Sequence, residues 1–275
     1  MEQTLQINGA ALWCRVAGDG VPIVQVHGSG FGHRNFDPAT PELSKRFRVI
    51  DYDQRGYGRS ERLAQDYDME VWADDVVGLM DALGIETAHV HGSSMGGMVA
   101  IVVAGKYPDR VRSVAINCAA AKLGRSAQLL FKNWVDVVRL DPAGVRSRVL
   151  AEMTAWQALS KRFIETADGK QTIDVIHKVL SESNDSDIYV AACKAIIDLD
   201  IRDWLGRISS PALVIGGDED IMTPWDQGPE GAGQEAIFRG IGGAEKHVIE
   251  GSAHSSMMDS TEEYLAVVGH FFARN

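Results

Sequence analysis

Residues Val90 to Gly97 read Val-His-Gly-Ser-Ser-Met-Gly-Gly, and no other stretch limits the fold of this chain so tightly. A short apolar run, Ala88–His91, precedes it and a small-residue apolar run, Met95–Tyr107, follows it. A strand passing into a helix over so few residues needs a sharp corner. Gly92 and Gly96 lack a Cβ and let other backbone come close. Ser94 is then exposed at a helix N-terminus. The N–H of Met95 is placed to face an oxyanion forming on an attacked carbonyl. The pattern Gly-x-Ser-x-Gly is weak by itself, because a chain of this length meets it by chance roughly one time in ten. A glycine-rich turn that only packs a helix on a strand would carry the same letters.

The surrounding rhythm supports the corner. Asn8-Gly9 between Thr4–Ile7 and Ala11–Ala17 predicts an antiparallel hairpin. Pro22–Val26, Arg48–Tyr52, Ala88–His91 and Val111–Ile116 read as short strands. Between them, residues 70–84 predict an amphipathic helix with Val71, Trp72, Val76, Met80 and Leu83 apolar and Asp74, Asp75 and Asp81 mostly on other faces. Met95–Tyr107 is apolar all round, which predicts a buried helix. Strands alternating with helices imply a largely parallel sheet. The alternation stops near residue 120 and the pattern from Lys122 to Arg207 is helical. It resumes with strands at Pro211–Ile215 and His247–Ile249 and a last helix, Thr261–Phe272; Trp225–Gly240 reads as loop and helix. The expected organisation is an α/β core of residues 1–121 and 208–275 with a helical insert, 122–207.

Composition removes several function classes. The net charge is −11 and there is no Lys/Arg block, so nucleic acid and anionic membrane are not expected partners. No apolar run approaches the ~18 residues of a membrane span. The start, Met1-Glu2-Gln3-Thr4, has no secretory pattern. Cys14, Cys118 and Cys193 are odd in number and widely spaced, which fits a reducing cytoplasm and small buried residues rather than disulfides or a metal site.

A serine hydroxyl is a poor nucleophile without a base, and the base needs a carboxylate to orient it. A corner of this kind predicts the chain order Ser, Asp, His, with both partners in loops after later strands. Two loops qualify. Gly216-Gly217-Asp218-Glu219-Asp220-Ile221-Met222-Thr223-Pro224 follows one strand, and Gly251-Ser252-Ala253-His254 follows the next. Each also reads as an ordinary surface loop, and any of the three acids in the first could be the partner.

Taken together, these segments resemble the α/β-hydrolase superfamily over essentially the whole chain. His27-Gly28-Ser29-Gly30 looks like its oxyanion loop, Asp53-Gln54-Arg55-Gly56-Tyr57-Gly58-Arg59-Ser60 like its D-x-R-G-x-G-x-S turn, and residues 92–97 like its nucleophile elbow. Gly217-Asp218-Glu219-Asp220 with Pro224 resembles its acid loop, and His254 falls where its base sits. The resemblance implies a mostly parallel eight-stranded sheet flanked by helices, with a helical cap inserted after strand six. It implies Ser94, not Ser93, as nucleophile. Asp220 is the implied acid, with Asp218 and Glu219 as alternatives, and His254 rather than His247 or His270 the implied base. The second oxyanion donor would be the N–H of Ser29, with Gly30 the close alternative, while His27 and Arg55 would brace loops. No metal or organic cofactor is implied.

Serine at the elbow points to esters, lactones, thioesters, amides or ketone C–C bonds. The Ser-Met-Gly-Gly elbow is similar to C–C hydrolases of aromatic ring-cleavage products. Those usually carry a tryptophan after the histidine and an asparagine before the nucleophile, where this chain has Ser255 and Ser93. Gly-Ser-Ala-His-Ser-Ser-Met-Met is closer to small esterases, perhydrolases and enol-lactonases. The expectation is therefore a hydrolase of a small, largely apolar ester or lactone, with C–C hydrolysis and a slow-hydrolysing ligand receptor of the same fold as alternatives. Gly30, Trp134, Trp156 and Trp225 are the pocket candidates, although Trp134, Met153, Trp156 and Phe163 each also fit simple packing of the insert. Arg139, Arg146, Arg148 and Arg162 could bind a substrate carboxylate, and each also reads as solvated surface charge. A homo-oligomer stays open.

Overall fold

A computed structural model describes all 275 residues. The strands are β1 (Glu2–Ile7), β2 (Ala10–Ala17), β3 (Pro22–Val26), β4 (Arg48–Tyr52), β5 (Ala88–Ser93), β6 (Val111–Asn117), β7 (Ala212–Gly217) and β8 (Glu245–Ile249). They form one sheet in the order β1-β2-β4-β3-β5-β6-β7-β8. β1–β2 and β2–β4 pair antiparallel, and every later pair is parallel. The hairpin at Asn8-Gly9 forms because both residues take positive φ, 48° and 78°.

The parallel strands are apolar on both faces because helices cover both. Their side chains divide by period two. Val24, Ile50, Val114, Ile116 and Val214 join one core with the helices Met69–Ala82 and Met95–Lys106. Ile23, Val49, Ala115, Leu213 and Ile215 join the other with the helix Thr261–Arg274 and the short turn Thr40–Leu43. Asp75 departs from its expected polar face. It is fully buried, and Arg55 clamps it with two bonds of 2.6 Å while also reaching the Asn8 carbonyl at 3.1 Å. A buried carboxylate needs such a partner, and Arg55 lies 20 residues earlier in the chain.

Between β6 and β7 the chain is helical: Arg125–Leu140, Arg148–Ala158, Ala167–Ser183 and Ser186–Ile197 are the longer helices. Arg125–Leu140 packs on Ser186–Ile197, and Arg148–Ala158 on Ala167–Ser183. This layer is tied to the sheet's loops by hydrogen bonds. Asn184 Nδ2 donates to the Gly30 carbonyl at 2.8 Å. The Gly58 N–H donates to Ser183 O at 2.7 Å, and the Ser255 N–H to Ala158 O at 2.7 Å.

Candidate active site

In open parallel sheets, ligands bind beyond the carboxyl ends of strands where the strand order reverses. Here that point lies between β3 and β5, since β4 sits on the far side of β3. Ser29 follows β3 and Ser94 follows β5, so the elbow and the Ser29 loop meet at the reversal.

Ser94 sits at φ 56°, ψ −121°, immediately before the helix Met95–Lys106. A non-glycine residue there is strained by about 1–3 kcal/mol. Close packing holds it in place. A Cβ on Gly96 would lie 1.8 Å from the Val26 carbonyl oxygen, and one on Gly92 would lie 2.2 Å from the Gly96 carbonyl oxygen. The corner therefore needs glycine at both positions.

His254 Nε2 lies 2.9 Å from Ser94 Oγ, and His254 Nδ1 lies 3.0 Å from Asp220 Oδ2. With Nε2 facing the hydroxyl, the ring proton sits on Nδ1 and points at Asp220. Of the three acids in the β7 loop, Asp218 and Glu219 are exposed and Asp220 is buried. Asp218 instead accepts the Gly251 N–H at 2.7 Å. Burial works against the charge on Asp220. The facing His254 and the N–H and O–H of Thr223 outweigh it, so the carboxyl is held below its ordinary value. His247 lies 2.9 Å from Glu263 and His270 is exposed, so neither approaches Ser94.

Met95 is the first residue of its helix, and its N–H is one of those a helix leaves unpaired. A Cβ on Gly28 would lie 3.1 Å from Ser94 Cβ, so the loop carrying Ser29 runs directly beside the serine. That loop is fixed from behind. Gly28 N–H donates to Asn35 Oδ1 at 2.7 Å, and Ser29 Oγ lies 3.1 Å from the Tyr57 hydroxyl. His27 is fully buried, with Nδ1 at 2.7 Å from Gly28 O and Nε2 accepting the Gln54 N–H at 2.9 Å. Burial brings its pKa down to about 4, so it stays neutral and acts as a brace.

A cavity of about 430 Å³ opens over Ser94 and His254. Phe131, Trp134, Val179, Met222, Met257 and Met258 give it apolar walls. Trp134 is therefore in the wall, with its indole N–H spent on Gln157 Oε1 at 2.6 Å. The other three pocket candidates are not. Trp156 is 68% exposed, because Thr154 and Ala158 on its helix face the cavity and Trp156 points away. Trp225 donates to Gly217 O at 3.1 Å and carries Lys246 over its ring, outside the cavity. Gly30 lies against Leu180 and Tyr189 rather than the cavity. Met153 and Phe163 are partly buried and pack against the core. Arg139, Arg146, Arg148 and Arg162 are exposed.

Thr223 escaped the sequence reading. Its hydroxyl donates to Cys118 O at 2.7 Å and lies 2.8 Å from Asp220 Oδ2 and 3.2 Å from His254 Nδ1. Its position just before Pro224 was the only available signal. Cys118 Sγ lies near Asp220 and His254, with the ligand atoms of all three within 4.8 Å of one another. Asp220 and His254 spend those atoms on each other, and burial pushes the Cys118 thiol up, so the trio is a poor metal site. All three cysteines are free and buried.

A family model described as alpha/beta hydrolase fold matches residues 21–261. The chain belongs to the α/β-hydrolase fold family. Among relatives of this α/β-hydrolase, 3-oxoadipate enol-lactonase 1 of Acinetobacter baylyi is 27% identical, covering 98% of this chain and 92% of that protein. The 2-hydroxymuconate semialdehyde hydrolase of a Pseudomonas species is 27% identical, covering 94% and 88%. Among solved structures, the enol-lactonase of Burkholderia xenovorans LB400 superposes with a TM-score of 0.87 at 28% identity, covering 98% of this chain and 100% of that one. No helix of this α/β-hydrolase is long and apolar enough to cross a membrane.

Proposed function

We propose that this protein is a serine hydrolase of small carboxylic esters or lactones, acting through an acyl-enzyme. The observation that carries this reading is the continuous contact from Ser94 Oγ through His254 to buried Asp220, at 2.9 and 3.0 Å. His254 takes the Ser94 proton as the oxygen attacks the substrate carbonyl. Asp220 holds the imidazole tautomer and supports its charged form. The N–H groups of Met95 and Ser29 receive the oxyanion, and each donor in comparable sites contributes about 3–4 kcal/mol. Collapse of the tetrahedral intermediate expels the alcohol, which takes the proton from His254. Water then attacks the acyl carbonyl and gives a proton to His254. As this second intermediate collapses, His254 returns the proton to Ser94 Oγ and the acid leaves. The helices between β6 and β7 act as a cap whose apolar wall receives the non-reacting part of the substrate. The enol-lactonase relatives support the ester and lactone class, as does the absence of tryptophan after His254.

The test is steady-state hydrolysis of p-nitrophenyl butyrate. Multiple turnover that falls by about four orders of magnitude or more in Ser94→Ala supports the reading. A single turnover ending in a stable adduct points instead to a receptor-like protein. Full activity in Ser94→Ala overturns the mechanism. A vinylogous diketone assayed in parallel separates ester from C–C hydrolysis by the relative kcat/KM.

A further inference from the structure

Two cations line the cavity that holds Ser94: Arg34 and Lys178. They come from different layers. Arg34 lies on the turn Gly32–Phe36 that follows the Ser29 loop, and Lys178 lies on the helix Ala167–Ser183. Both approach one carboxylate. Glu182 Oε2 is 3.1 Å from Arg34 Nη1, and Glu182 Oε1 is 4.0 Å from Lys178 Nζ. Glu182 itself does not line the cavity, whereas both cations do. The one lining acid, Asp37, is held by Arg15 at 3.3 Å, and Arg15 is also bound to buried Asp51 at 2.7 Å. The cavity wall itself thus carries two cations, Arg34 and Lys178, and one carboxylate, Asp37, with Glu182 behind the cations. Two lining cations against one lining carboxylate leave one positive charge on the cavity wall, in a chain of net charge −11.

We infer that the cavity takes esters or lactones bearing a second, ionised carboxylate, which Arg34 and Lys178 hold at the rim while Ser94 attacks the ester carbonyl. This rests on the hydrolase reading of Ser94 and names the substrate class for that site. A guanidinium can offer a carboxylate two parallel N–H donors, and a lysine ammonium on its flexible stem adds a mobile point charge. The Arg34–Glu182 pair is partly exposed, and pairs of that kind hold weakly, so Arg34 can exchange partners at little cost. Phe131, Trp134 and Val179 supply apolar wall in the same cavity.

The experiment compares p-nitrophenyl butyrate with mono-p-nitrophenyl glutarate, which differ only by a terminal carboxylate. The wild-type protein is expected to favour the glutarate ester in kcat/KM. Arg34→Ala and Lys178→Ala are expected to cut that preference about ten-fold, mainly through KM. Arg34→Lys should retain part of it, and about 0.5 M NaCl should reduce it in the wild type because the site faces water. A purely structural role would depress both esters equally and leave the ratio unmoved, which overturns the inference. So does a wild-type protein that turns over butyrate with no preference for the anion, a result that leaves the hydrolase reading standing. Turnover of neither ester by the wild type sinks the hydrolase reading and this inference together.

Discussion

The cavity has a floor and a roof that differ in how they are held. The floor consists of loops after β3, β5, β7 and β8, and its geometry is over-determined. Gly92 and Gly96 leave no room for a side chain, Ser94 is strained into place, and Asp220 accepts from Met222, Thr223 and His254. The roof consists of helices between β6 and β7 that meet the cavity through apolar side chains such as Phe131 and Trp134. Their ring centroids are 5.1 Å apart, and both stand on one ordinary helix, Arg125–Leu140, with no positive-φ residue or tight glycine contact at either position. Under the proposed mechanism, a floor built this way positions reacting atoms and a roof built that way selects what reaches them. Changes in the floor should therefore cost rate, and changes in the roof should redistribute substrates.

The largest effect is expected in the floor. His254→Ala should lower kcat on p-nitrophenyl butyrate by about four orders of magnitude or more, with the fold retained by circular dichroism. A loss under about ten-fold would break the distinction between the layers. Replacing the roof's Phe131 with Ala should shift kcat/KM between short and long acyl esters by about 10- to 200-fold, while the rate on the best ester changes far less. Uniform loss across chain lengths would mean the roof takes part in the chemistry. Thr223→Val should lower kcat by about ten-fold, since it removes the one hydroxyl that lies within hydrogen-bond distance of both the Cys118 carbonyl and the Asp220 carboxylate. An effect confined to KM would assign Thr223 to packing alone.

The strand beneath the floor carries buried titratable groups. Burial brings His91 down to about 3, and burial followed by the nearby Arg112 charge brings His89 to about 4, both on β5. An unfolded chain holds histidine near 6.5. Between those values the unfolded chain binds more protons than the folded one, so stability falls as pH drops from about 6.5 to about 4. Urea midpoints at pH 7 and pH 4.5 check this, and equal midpoints would contradict neutral buried histidines. The smallest effect belongs to the roof's outer face: Trp156→Ala should change stability by no more than about 0.5 kcal/mol and leave kcat/KM unmoved.

The same contrast explains what the sequence revealed. The floor was legible because its constraints are local: Asn8-Gly9 specifies a hairpin, Gly92 and Gly96 a close approach, and each loop directly follows a strand. Strand alternation gave the sheet for the same reason, although β5, β7 and β8 each extend beyond the expected run. The roof was not legible, because lining a cavity depends on how a helix is rotated against its neighbours. Trp134 and Trp156 look alike in sequence, and only packing turns one inward and the other to water. Asp75 is buried for a related reason, since its partner Arg55 comes from a loop and not from its own helix. Arg34, Asn35 and Lys178 carried no pattern at all; their relevance comes from the loop of β3 and the helix Ala167–Ser183 facing one space.

Covalent labelling by a fluorophosphonate, with the modified peptide located by mass spectrometry, tests the central claim most directly. The account predicts one equivalent of label on Ser94, none on Ser93 or Ser255, loss of esterase activity in proportion to labelling, and no adduct in Ser94→Ala. A label on another residue, or an active protein after complete labelling of Ser94, would contradict it.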